Sequence, residues 1–124
     1  MIKSCIIVAA LLCSSAAAAQ VVADHQAQMD KIKMDWSGRR AGFGNVFVAT
    51  FKLKNENPFD VKDVVVECSH QAPSGTDVGR RRETLYRLIK AGASTVAKDI
   101  NMGFLHQQAT RATCGVRDFV KAQP

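Results

Sequence analysis

The sequence predicts an all-β fold, a small antiparallel sandwich, and three observations predict it. Apolar and polar residues alternate with a period of two in several short runs. Each run stops at a glycine, proline or asparagine cluster of the kind that makes turns. The chain, once an N-terminal leader is set aside, has room for a single core.

Residues 1–19, MIKSCIIVAALLCSSAAAA, read as that leader. Lys3 supplies the positive start, Cys5 to Cys13 an apolar stretch, and Ala17 and Ala19 a signal-peptidase site before Gln20. Neither this stretch nor any later one is long enough to cross a bilayer as a helix. Acylation at Cys13 calls for a small residue before it, and Leu12 stands there instead. Taking 19 residues from 124 leaves 105, enough for one domain, and the loss of Lys3 lowers the formal charge from +6 to +5. The expected place is periplasmic or secreted.

Residues 20–30 show no clear alternation and read as an arm or short helix before a domain spanning 31–120, with 121–124 a tail. In KIKMDW, Ile32, Met34 and Trp36 alternate with Lys31, Lys33 and Asp35, giving a strand with one apolar face. The turn SGRRAGFG follows. NVFVATFKLKN then places Phe47, Ala49, Phe51 and Leu53 on one face, opposite Val46, Val48, Thr50, Lys52 and Lys54. NENP breaks this run because proline cannot continue a central ladder.

FDVKDVVVECSH resumes with Val64, Val66, Cys68 and His70 on one side and Val65, Glu67 and Ser69 on the other. QAPSGTDVGRRRE, with two glycines, a proline and a charge run, reads as a long exposed loop. TLYRLI and STVAKDINM are the next strands, joined by the glycine turn KAGA; Leu85, Leu88 and Ile89 also fit helical spacing, so 81–90 has a helix as its competing reading. After GFLHQQATRA, a loop or helical turn, ATCGVRDF closes the fold with Ala112, Cys114 and Val116 facing one way. About six closely spaced strands suit a sandwich of immunoglobulin-like type.

The chemistry-bearing residues are few. Cys5 and Cys13 leave with the leader, so Cys68 and Cys114 are expected to pair in an oxidising compartment. The competing reading is a zinc or copper site built from Cys68, His70, His106 and Cys114, a suitable ligand set without a close-spaced signature. The two readings exclude each other, since a ligating thiolate must be reduced. Cys68-Ser69-His70 places a nucleophile two residues from a base, but such neighbours on a strand point parallel rather than at one another. No nucleophile elbow, phosphate-cradling loop or paired carboxylate occurs, so neither enzyme activity nor a cofactor is expected. Arg80, Arg81 and Arg82 form the one basic run, either a solvated loop tip or a patch for an anionic partner. Export makes nucleic acid an improbable partner; another envelope protein or an anionic surface fits better.

SGRRAGFGNVFVATFKLKNENPFDVKDVVVECSHQAPSGT, with the later NMGFLHQQATRATCGV, resembles small exported bacterial domains of the FxLYD type. The resemblance covers about residues 36–118 and rests on Lys54-Asn55 followed by Val61 to Val66. It implies an immunoglobulin-like sandwich whose first hairpin those segments form, and a binding or structural accessory role in the cell envelope. It implies no catalytic residues.

Overall fold

The computed structural model describes residues 19–123. The leader expected over 1–19 lies almost wholly outside the described residues. Residues 19–30 form a helix, α1, whose side chains bond along one face: Gln20 Nε2 donates to Asp24 Oδ1 at 3.0 Å, and Gln26 Nε2 to Asp30 Oδ1 at 2.9 Å. Val21 and Val22 on this helix are exposed.

A second compact unit begins at Lys31. It holds six strands: β1 (Ile32–Ala41), β2 (Val46–Asn55), β3 (Val61–Gln71), β4 (Asp77–Ile89), β5 (Ser94–Phe104) and β6 (Arg111–Lys121). They form two antiparallel three-stranded sheets, ordered β1-β2-β5 and β4-β3-β6. The chain therefore changes sheet between β2 and β3, returns between β4 and β5, and changes again before β6. No described helix is long and apolar enough to cross a membrane.

Period-two patterning decides what lies between the sheets. Phe47, Ala49, Phe51 and Leu53 of β2 face Val61, Val64, Val66 and Cys68 of β3, and all eight are buried. Met102 of β5 and Phe119 of β6 complete this layer. The bulge at Asp63, with φ of 50°, shifts β3 by one residue so that both Val61 and Val64 point inward. Gly38 of β1 sits where the Phe47 ring presses against the strand: a Cβ there would lie 2.2 Å from that ring.

Two expectations need correction, and one alternative is excluded. The segment from Asp77 onward is strand rather than loop, because Ala72–Thr76 already makes the whole turn, with Ala72 N bonded to Thr76 O and Gly75 N to Ala72 O, each at 2.9 Å. Arg80, Arg81 and Arg82 therefore lie on β4, an edge strand, where alternation sends successive side chains to opposite faces. The helical alternative over 81–90 is excluded by the same ladder, in which Leu85 pairs with Val64 and Ile89 with Val61. Finally, β2 and β3 form no hairpin; residues 56–60 carry the chain from one sheet to the other.

Candidate binding surface

The outer face of the β4-β3-β6 sheet is built in rungs. Arg80, Ser69 and Thr113 form one, Arg82, Glu67 and Gly115 the next, then Thr84, Val65 and Asp118, and finally Leu88, Lys62 and Val120. Glu67 has the outward position expected for it, yet its side chain is only 4% exposed because guanidinium groups cover it. Arg82 Nε donates to Glu67 Oε2 at 2.6 Å and Arg117 Nε to Oε1 at 3.2 Å, while Arg80 Nε stands 3.8 Å from Oε1. Gly115 leaves open the space over which Arg117 folds back.

The hydrogen bond from Arg82 holds the Glu67 carboxyl below the ordinary carboxylate range, outweighing the opposing effect of its burial, and Arg117 adds to the lowering. Arg80 also stands 3.6 Å from Asp77 Oδ2, so three arginines against two carboxylates leave one formal positive charge. The arginine side chains remain 48–62% exposed, so donors on each still face solvent. Further along the same face Tyr86, Leu88 and Val120 are exposed. The result is a fixed cationic cluster on a face that also exposes apolar side chains, with Lys62 between Leu88 and Val120.

Arg81 points away from this cluster. Its Nε is 3.5 Å from Glu83 Oε2, and its guanidinium lies against Gly103 of β5. The run of three consecutive arginines is thus divided, two of them joining Arg117 and the third bridging toward the other sheet. Register, which brings Arg117 to Glu67 from 50 residues away, carries information that the linear charge run lacks.

Cys68 and Cys114 are directly opposed on β3 and β6 and joined as a disulfide, with Cα atoms 4.1 Å apart. The bond lies within one sheet and ties neighbouring strands rather than the two layers. Since both sulfurs are used, the set Cys68, His70, His106 and Cys114 offers no thiolates. No group of three or more histidine, cysteine, aspartate or glutamate side chains placed to hold a metal is found among the described residues. His106 Nδ1 accepts a hydrogen bond from Gln108 N at 2.9 Å within the turn after β5.

His70, two residues beyond Cys68, is 3% exposed and packs edge-on against Phe47, with ring centroids 4.7 Å apart. Burial, aided by the Arg40 charge, lowers its pKa below 6.5. The unfolded chain therefore binds a proton at a higher pH than the folded one. Stability from this group is complete above about pH 6.5 and is lost as the pH falls through the folded-state value. Glu67 acts in the same direction in a lower window, starting near its ordinary 4.5. Thermal melts from pH 8 to 5 are expected to show a falling Tm that His70→Gln flattens; an equal slope in the variant would assign the effect elsewhere.

Searches against family models, curated proteins and solved structures return no match for this chain. Its function must therefore be read from the residues themselves.

Proposed function

We propose that the chain is an exported, non-enzymatic sandwich of immunoglobulin-like type that serves the cell envelope as a binding or structural accessory domain. Its partner is an anionic protein or surface engaged by the outer face of the β4-β3-β6 sheet. The observation that carries the reading is the arginine cluster on Glu67. A guanidinium already fixed by a buried carboxylate loses little further freedom on meeting a second anion, so binding there costs less entropy than at a free side chain. Tyr86, Leu88 and Val120 beside it supply contact area of the kind interfaces use. The Cys68–Cys114 pair suits an oxidising compartment, which supports export. The likeness to FxLYD-type domains rests on Lys54-Asn55 and Val61 to Val66, without a Phe-x-Leu-Tyr-Asp string.

The test is retention on a polyglutamate resin. Arg82→Glu with Arg117→Glu should elute at lower salt than Lys52→Glu with Lys54→Glu, which makes the same charge change on the exposed face of the other sheet. Equal losses would show that net charge alone governs retention, and the reading would fall.

A further inference from the structure

Each sheet has two outer strands, and backbone groups along the free side of such a strand can pair with another chain. Three of the four outer strands are irregular. The registers of β4 and β6 with β3, and of β5 with β2, contain shifts, and Asp99 and Gly103 of β5 have φ of 54° and 84°. Irregularities of this kind turn an edge away from a new partner. β1 differs: its ten residues pair with β2 without a shift, it contains no proline, and among the described residues no other strand pairs with it.

The side chains of β1 suit one occupant, a second copy of the same strand. Lys33, Asp35, Ser37 and Arg39 are exposed on one face, while Met34 and Trp36, on the other face with buried Ile32, are only half-buried. A two-fold axis between antiparallel copies sets like-facing residues opposite one another, so partner numbers share a parity. Charge then selects the register. Centred on Asp35, the pairing opposes that carboxylate to its own copy; centred on Trp36, it opposes Lys33 to Arg39; centred on Gly38, it sets Asp35 opposite Ala41 and Trp36 opposite Arg40. Centred on Ser37, it opposes Asp35 to Arg39 on both sides of the axis and Trp36 to Gly38. Gly38 has no side chain, and the Phe47 ring lies where its Cβ would be. The indole of one copy thus meets the Phe47 ring of the other, extending the edge-on contact, centroids 6.4 Å apart, that Trp36 already makes with its own Phe47.

We propose that two copies of this chain associate through β1, antiparallel and centred on Ser37, joining their β1-β2-β5 sheets into one sheet of six strands. This edge belongs to a different sheet from the arginine cluster on Glu67, and the association does not depend on that cluster. Arg39 is available for the contact. Its ion pair with Asp99, at 3.5 Å, joins two groups that are more than half exposed, and a guanidinium carries five donors. The pairing buries Met34 and Trp36 on one face and leaves the charge pairs on the solvent side, the usual division between the core and rim of an interface. Such an interface is small, which sets the dissociation constant on the order of 10 µM.

Sedimentation equilibrium over a concentration range bracketing that constant should show a monomer–dimer equilibrium. Emission from Trp36, the single tryptophan, should shift to the blue over the same range as the indole is buried. Asp35→Arg and Arg39→Asp, both at exposed positions, read the register. Each variant alone sets like charges opposite one another at two places and should dimerise about tenfold more weakly than the parent. Mixed in equal amounts, the two variants restore opposite charges at both places and should associate as the parent does. Ser37→Cys gives an independent reading: thiols at the axis lie within reach of a disulfide, so oxidation should link two copies much faster than in Lys33→Cys, whose copies this register holds about 27 Å apart. A protein still monomeric at about ten times the expected constant, variants that each dimerise as tightly as the parent, a mixture that stays monomeric, or equal rates of linking would overturn the pairing.

Discussion

Replacing Cys68 and Cys114 together by serine is expected to destabilise the fold by about 4 kcal/mol and to lower Tm by about 15 °C or more. The disulfide closes 46 residues, and in the chain-entropy model most of its effect comes from restricting the unfolded state. This loop contains β4, β5 and the sheet change between them, so the untied chain gains freedom over nearly half the domain. The ladder between β3 and β6 survives in the folded variant, because Ser69–Thr113 and Glu67–Gly115 still pair on either side. Urea unfolding separates the two contributions. An increased m-value with the loss of stability places the effect in a more expanded unfolded chain; an unchanged m-value with the same loss would place it in lost native packing. A variant as stable as the parent would show that the strand pairing alone holds this sheet.

Period two made the interior legible because burial follows it along β2 and, past the bulge at Asp63, along β3, where only the arginine-covered Glu67 departs from it. Phe47 to Leu53 and Val64 to His70 point inward as their alternation requires, and Cys68 falls on the face that brings it to Cys114. Sheet membership is a different kind of information. Nothing in the alternation of β2 or β3 says whether residues 56–60 turn back as a hairpin or cross to a second layer, and they cross. The arginine cluster was hidden for a related reason. Arg80, Arg81 and Arg82 looked like one feature because they are adjacent in sequence, whereas in a strand adjacency separates side chains and pairing unites them. A usable signal did exist: Glu67 stands alone as an acid in the apolar run VVVECSH, and such a carboxylate requires cationic partners. The packing of the Phe47 ring onto Gly38 is likewise a contact between strands that no local pattern encodes.

The second large effect is expected at Asn55, whose replacement by alanine should cost about 3 kcal/mol. It ends β2, is fully buried, and joins segments from three parts of the chain. Its Nδ2 donates to Phe59 O at 2.8 Å and to Ile89 O at 3.1 Å, and its Oδ1 accepts from Asn57 N at 3.0 Å. Its backbone binds the turn between β4 and β5 through Ala93 O and Gly92 N. The side chain thus holds the crossing loop 56–60 against the end of β4, and alanine deprives three backbone groups of their partner at once. Asn55→Asp is the sharper probe. It retains the acceptor toward Asn57 but turns an oxygen toward the carbonyls of Phe59 and Ile89, which favours the protonated acid and raises its pKa in the folded state. Stability of this variant should rise as the pH is lowered through that raised value, over a range in which the parent loses stability through His70. A parallel fall in both proteins would mean that the Nδ2 bonds contribute little and that the backbone contacts alone fix the crossing.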